Sequence, residues 1–398
     1  MRVPSLDAAR ELNDPELLFF TALSILGNPR PPRREALAFE LANEFAQAPR
    51  DGVTGPTLGG VLFGAACAFL QHGERNHAED LFRQLSELAT RTQEAQLALR
   101  PFTSEAIIAT LEGDLERAVR VSQQLVERAD ELGAPVAGRV NAIPANYALF
   151  CMGRGEEVLA RRGAAIETAG VEPSAASESQ TVWLLAQLGR LAEAGDVLGN
   201  LMRDRNINPE NNQLSTANLL NLLQAAVLLR ETEAAKVLAR LLENVRSFSW
   251  STRDTNVCPA RLLGAAAALL GHPRHARDYY REAIEACAKL RFRPEIALTR
   301  LQLAELLLEE SAKPNPLDLR TSPSQPDNDV GARSPRPRVV GDGAAEGEET
   351  SPLRGATLAA ALRSEALEHL DFAISEFREM KMQPSLERAL RHRGLLKA

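Results

Sequence analysis

Two pairs of closely spaced histidines could provide metal ligands, His72 with His77 and His272 with His275. A structural zinc site needs four ligands in tetrahedral order, and no cysteine or carboxylate completes such a set beside either pair. Both pairs also fall at the same turn of two repeated units, so the repetition explains their spacing. We therefore expect neither a metal site nor a cofactor.

The cysteines are the next residues that could do chemistry. Cys67, Cys151, Cys258 and Cys287 stand singly, without the paired spacing of a zinc or disulfide framework, and mostly within apolar segments. That setting predicts buried, reduced thiols. Catalytic triads are recognised by geometry, and no sequence feature points to one. We expect a non-enzymatic protein, with an enzyme whose site is built across the groove of the fold as the alternative.

The segment from Gly133 to Val140 comes nearest to a phosphate-binding loop. Such a loop needs G-x-x-x-x-G-K-[ST], because the lysine reaches the terminal phosphates and the hydroxyl binds magnesium. This segment carries Arg139 and Val140 at those two positions. A helix end at Gly133, followed by Pro135 at the start of the next helix, explains it better.

The charge of the chain argues against a nucleic-acid partner. The formal net charge is −7 and aromatic residues make up only 5% of the sequence, whereas a phosphate-binding surface needs a contiguous basic patch and gains from stacking aromatics. The first fourteen residues lack an apolar signal-peptide core, and the longest apolar run, near Gly59 to Leu70, is too short to cross a bilayer. We therefore expect a cytoplasmic protein with no membrane partner.

The elements that carry these residues repeat along the chain. A small anchor residue recurs at intervals of 42, 40, 40, 36, 40 and 42 residues, in the range of helical-hairpin repeats. A glycine five residues before most anchors predicts a left-handed helix end, and apolar residues four and seven positions after the anchor share one helical face. The anchors are Ala36, Ala78, Ala118, Val158, Ala194, Ala234 and Ala276.

The last unit is interrupted by a segment of a different composition. Residues 311–356 contain seven prolines and repeated Ser-Pro pairs but no hydrophobic periodicity, which is typical of a disordered loop. Removing them brings Ala366 into register as the eighth anchor. We expect an N-terminal tail at 1–14, a repeat array at 15–310, the disordered loop at 311–356, and the end of the last repeat with a capping helix at 357–398.

The glycine turn, the small anchor and the large apolar residue four positions later resemble the second half of a tetratricopeptide repeat. The clearest copy is RLLGAAAALLGHPRHARDYYREAIEA, residues 261–286. The longer repeats, such as LERAVRVSQQLVERADELG at 115–133, resemble the C-terminal repeat arm of bacterial signalling ATPases linked to class III adenylate cyclases or LuxR-type regulators. The resemblance implies an all-α, right-handed α-solenoid of about eight hairpins that senses a ligand or partner.

In such a solenoid the first helix of each hairpin lines a concave groove, and polar residues on those helices are the binding candidates. Arginine pairs with carboxylates and asparagine with backbone amides, so we expect a protein or peptide partner, with a small-molecule effector as the alternative. An alternative function is that of a detached sensor arm, which acts with separate ATPase, cyclase or DNA-binding partners. The candidates are Arg139, Asn146, Asn218, Asn221, Arg261 and Arg300.

Overall fold

The computed structural model describes residues 4–92, 94–136, 138, 142–143, 145–161, 175–210, 212–249, 256–312 and 352–395. Within these ranges the regular elements are helices and none is a strand, which confirms the all-α class. A helical segment at 155–161 and two 3-10 turns, Pro32–Arg34 and Glu243–Val245, accompany the α-helices. The helices are α1 (Pro4–Glu11), α2 (Pro15–Leu26), α3 (Glu35–Gln47), α4 (Gly55–Gln71), α5 (Arg75–Thr92), α6 (Ala95–Glu112), α7 (Leu115–Glu131), α8 (Ala145–Cys151), α9 (Ala175–Gln187), α10 (Leu191–Asp204), α11 (Thr216–Leu229), α12 (Thr232–Leu242), α13 (Pro259–Leu269), α14 (Pro273–Leu290), α15 (Arg293–Ala312), α16 (Pro352–Glu379) and α17 (Gln383–Leu395).

The turns between helices follow the glycine pattern. Each of the five predicted turn glycines has a left-handed backbone, with φ between 77° and 83°, a region that side chains with a Cβ rarely adopt. Arg230 takes this role between α11 and α12, with φ 58°. The glycines are Gly73, Gly113, Gly153, Gly189 and Gly271.

Most of the predicted anchors are buried where consecutive helices pack, but two were placed wrongly. Ala36 is exposed and Ala234 only half-buried, while Ala38 and Ala235 are fully buried. The helices that carry them are therefore rotated relative to the sequence pattern. Leu242 rather than Leu241 completes the apolar face of α12 for the same reason.

Small residues allow the paired helices to approach closely. A Cβ on Gly264 in α13 would lie 2.7 Å from the ring of Tyr280 in α14, so this crossing tolerates only glycine without movement of the ring. At Gly60 in α4 a Cβ would lie 2.7 Å from Leu23 of α2. The core is therefore built from helix crossings at close range.

The structure places helices near two of the predicted boundaries. Within residues 1–14, α1 buries Leu6 and Ala9. The predicted insertion at 311–356 falls mainly on 313–351, outside the described residues, while α15 ends at Ala312 and α16 begins at Pro352. The predicted insertion thus lies between α15 and α16.

The two halves of the chain touch each other across the interior. The Thr216 N–H donates to the Arg30 carbonyl and the Ser249 N–H to the Gln71 carbonyl, each at 2.8 Å. Further along, Arg293 Nη1 donates to the Glu112 carbonyl at 3.3 Å. The open concave groove expected from the sequence is thus bridged by the chain, and small cavities lie between the inner helices.

Candidate ligand site in the helical interior

The sequence candidates do not share one surface. Asn146 of α8 and Asn221 of α11 line one cavity, and Arg261 of α13 lines a neighbouring one. Asn218 is half-buried and accepts a hydrogen bond from Ser179 Oγ at 3.3 Å. Arg139 lies outside the described residues. Only Asn146, Asn221 and Arg261 are therefore placed at the same region of the interior.

The first of these cavities, here called the amide cavity, has a volume of about 30 Å³. Helices α8, α9 and α11 form its wall together with the segment before α13. Its lining contains no charged side chain among the described residues and is rich in carboxamides. The carboxamide residues are Asn146, Gln180, Asn221, Gln224 and Asn256.

A second cavity of about 130 Å³, here called the central cavity, adjoins it. The two share Tyr147, Trp183 and Gln224 as a common wall. The central cavity is lined by residues of α8, α9, α11, α13 and α15, and α17 contributes Ser385 and Arg388. Helices α8, α9, α11, α13 and α15 therefore converge on one continuous region.

Gln224 occupies the wall between the two cavities and was not among the sequence candidates. It is 6% exposed, and its Oε1 accepts a hydrogen bond from Trp183 Nε1 at 3.2 Å. Its Nε2 is buried and meets no hydrogen-bond partner within the described ranges. A sequence signal for it did exist, because Asn218, Asn221 and Gln224 follow each other at intervals of three along an otherwise apolar helix, and that spacing keeps them on one face.

Arg261 is not an exposed groove residue, contrary to the sequence expectation. Its Nε lies 2.7 Å from Glu295 Oε2 and its Nη2 lies 2.9 Å from Oε1, with Arg261 6% and Glu295 0% exposed. Burial alone would lower the pKa of Arg261, but the negative charge of Glu295 and the hydrogen bonds to it raise this pKa above its usual value. The guanidinium is thus already occupied by a partner inside the protein.

The same carboxylate binds two further groups. Glu295 Oε2 accepts the Cys258 N–H at 2.8 Å, and Oε1 accepts the Tyr147 hydroxyl at 3.1 Å. Burial raises the pKa of Tyr147 well above its usual range, so the hydroxyl remains protonated and donates. Both oxygens of the buried carboxylate are therefore satisfied, as a buried charge requires.

Arg300 points away from these cavities. Leu298 and Gln302 of the same helix line the central cavity, and a residue midway between them lies on the opposite helical face. The Arg300 guanidinium stacks on Phe372 of α16, with its carbon 4.0 Å from the ring centre. The expectation that Arg261 and Arg300 face one stretch of groove is therefore wrong.

A third cavity of about 120 Å³ lies between α2, α4 and α6, and Ser215 and Ala217 at the start of α11 complete its wall. The Arg30–Glu35 ion pair, at 2.9 Å, forms part of its wall. Arg100 stacks on Phe63 there, with its guanidinium carbon 4.6 Å from the ring centre. We call it the N-terminal cavity.

The histidine and cysteine candidates have structural surroundings. His72 stacks on Phe39 with ring centres 3.9 Å apart, and burial lowers its pKa. Cys151, Cys258 and Cys287 are buried and Cys67 is half-buried, and none of these four described cysteines forms a disulfide. Among the described residues, no group of three or more histidines, cysteines and acidic residues is arranged to hold a metal ion.

None of the helices in the described ranges combines the length and the apolar character that crossing a bilayer requires. The chain matches no known protein-family profile, and no curated protein matches it either.

Proposed function

We propose that this protein is a non-catalytic, tetratricopeptide-like α-solenoid of about eight hairpins that senses a small ligand held between its inner helices. The observation that carries this proposal is the convergence of helices α8, α9, α11, α13, α15 and α17 on the adjoining amide and central cavities. A ligand there would contact several repeats at once. Its binding energy would therefore act on the relative positions of those repeats, which is what a sensor requires.

The dimensions of the interior favour a small molecule over a peptide. An extended peptide needs a long open groove, whereas contacts such as Ser249 N–H to the Gln71 carbonyl bridge the two halves. The central cavity, at about 130 Å³, compares with the cavity of roughly 150 Å³ that holds benzene in a protein core. A ring-sized ligand is thus the natural occupant.

The chemistry of the interior supports a binding role without catalysis. Burial raises the pKa of Cys151 to about 12, so its thiol is not poised as a nucleophile. Arg261 and Glu295 satisfy each other at 2.7 Å, and neither is available as a general acid or base. Residues with perturbed pKa values often belong to structural ion pairs and not to catalytic sites.

The last helix provides a means of coupling binding to the surface. In α17, Ser385 and Arg388 line the central cavity, and Arg388 pairs with Glu305 of α15 at 2.6 Å. His392 Nε2 lies 2.9 Å from the same carboxylate. In this proposal a ligand in the central cavity fixes α17 against α15, and a partner protein in a signalling system reads the position of that helix.

A pair of alanines on α13 offers a matched test. Ala265 lines the central cavity and Ala267 does not, while both are 8% exposed. A library of small metabolites is screened against the full-length chain by thermal shift, and the hits are measured again with Ala265→Leu and Ala267→Leu. Ligands of the interior should lose their effect with Ala265→Leu and keep it with Ala267→Leu. Two outcomes would contradict an interior ligand site: hits whose thermal shift is unchanged by either substitution, and the absence of any hit.

A further inference from the structure

We infer that the amide and central cavities together take one small, neutral, planar amide, and that Gln224 is its principal hydrogen-bond donor. This inference rests on the proposed function and names the class of ligand. The class includes primary benzamide-like amides, lactams and cyclic imides, all of which present a carbonyl oxygen beside an N–H group.

The Gln224 side chain is held in one orientation by Trp183. Because Oε1 accepts the indole N–H of Trp183 at 3.2 Å, the amide is held with Nε2 on the other side. That nitrogen is buried without a hydrogen-bond partner in the part of the chain that the structure describes. A buried donor without an acceptor destabilises a folded protein. A carbonyl oxygen of a ligand would remove this penalty.

The charge of the site indicates a neutral ligand. No charged side chain lines the amide cavity among the described residues. In the central cavity, Arg261 is already paired with Glu295, and Arg388 with Glu305. An ionic ligand would lose its hydration without gaining an unpaired counter-charge, which is costly. A neutral ligand loses much less hydration free energy on burial.

The remaining walls indicate a planar ligand that both donates and accepts hydrogen bonds. A carboxamide carries both an oxygen acceptor and a nitrogen donor, and Asn146 presents a second such group beside Gln224 in the wall of the amide cavity. Trp183 and Tyr147 supply flat aromatic surfaces to both cavities, and flat rings pack well against such surfaces. An amide attached to a ring meets both requirements.

The first test compares three probes of similar size by calorimetry with the full-length protein: benzamide, benzoate and ethylbenzene. Benzamide should bind, while benzoate, which carries a charge, and ethylbenzene, which lacks the carbonyl, should each bind at least about tenfold more weakly. Equal or tighter binding of benzoate or ethylbenzene would overturn the amide class, as would no binding of benzamide. The thermal-shift screen with Ala265→Leu tests the interior site independently. Failure of the three-probe comparison would therefore contradict the amide class without contradicting the interior site.

The second test replaces the proposed donor. Gln224→Met keeps the approximate volume and removes the amide, and Gln71→Met is the control, because Gln71 is equally buried but lines the N-terminal cavity. Benzamide binding is followed by the fluorescence of Trp183 in a Trp250→Phe background, since these are the two tryptophans of the chain. Gln224→Met should weaken binding at least about tenfold, and Gln71→Met should change it less than about twofold.

Equal effects of the two substitutions would overturn the role of Gln224. Circular dichroism and the melting temperature of each variant show whether it remains folded, since Gln224→Met removes the unpartnered Nε2 but also removes the acceptor of the Trp183 indole N–H, and these two changes have opposite effects on stability. If that variant did not fold, the comparison of the three probes with the unmodified chain would still decide the ligand class.

Discussion

Arg261 and Glu295 are joined inside the protein, with Nε 2.7 Å from Oε2 and neither side chain more than 8% exposed. They lie on α13 and α15, 34 residues apart in the sequence. Tyr147 of α8 donates to the same carboxylate. One buried acid therefore ties together three inner helices beside the proposed ligand site.

Arg261→Glu should destabilise the protein strongly, because it leaves Glu295 without a counter-ion and places a second carboxylate beside it. Breaking a buried ion pair typically costs about 3–5 kcal/mol, so the free energy of unfolding should fall by at least about 3 kcal/mol in urea denaturation. The control is Arg83→Glu, at an arginine that is 62% exposed, where a change below about 1 kcal/mol is expected. Similar losses from both substitutions would contradict the buried pair.

Stability should decrease as the pH falls below about 6.5. Burial lowers the pKa of His72 and of His369 from the usual 6.5, and the charge of Arg300 adds to this effect at His369. The unfolded chain therefore takes up protons first, and the stability these groups provide above pH 6.5 is lost as pH falls through their folded pKa values.

Urea midpoints measured between pH 8 and pH 5.5 test this dependence. His72→Phe with His369→Phe should flatten the profile, since both groups then leave the titration. A profile as steep in the double variant as in the unmodified chain would show that other groups cause it.

Gly264→Ala should destabilise the hairpin formed by α13 and α14, because the new Cβ would lie 2.7 Å from the Tyr280 ring. Overpacking of this kind costs about 1–3 kcal/mol. Gly195→Ala within α10 is the matched change, since a Cβ there meets nothing within 4 Å, and it should stabilise the helix by about 0.5–1 kcal/mol. Thermal melts of both variants should move in opposite directions, and a shared direction would contradict the close crossing.

Cys67 should react first with an aromatic disulfide reagent under native conditions. It is half-buried while the other three cysteines are buried, and burial raises the pKa of Cys151 to about 12 and that of Cys287 well above its usual value. The thiolate is the reactive form. Cys67→Ser should therefore abolish the fast phase, and persistence of that phase would place the accessible thiol elsewhere.

The sequence predicted what depends on local geometry. The left-handed turns at Gly73, Gly113 and Gly271 were correct, because a positive φ selects glycine regardless of the tertiary structure. The anchor at Ala276 was correct because the helix around it follows the regular spacing. At Ala36 and Ala234 the local sequence does not indicate that the helix is rotated relative to the repeat pattern. The nearby alanines Ala38 and Ala235 are the buried ones.

The candidate site was only partly predictable because its contacts are distant in sequence. Arg261 was expected to face solvent, and its burial depends on Glu295 in the next unit. Asn146 and Asn221 lie on α8 and α11, and both line the amide cavity. Gln224 was missed although it continues the spacing of Asn218 and Asn221, since only the packing of Trp183 against it shows which of its atoms lacks a partner.

The hydrogen bonds of Thr216 to the Arg30 carbonyl and of Ser249 to the Gln71 carbonyl have a consequence for how the chain can change in length. In an ordinary repeat array each unit touches only its neighbours, so copies can be gained or lost one at a time. Here a unit also meets one about 180 residues away, as with Arg293 and Glu112, which are 181 residues apart. Inserting or deleting a helical pair between residues 112 and 216 would shift all three of these pairings, so we expect the length of that stretch to be constrained and the contacting parts of the chain to unfold together.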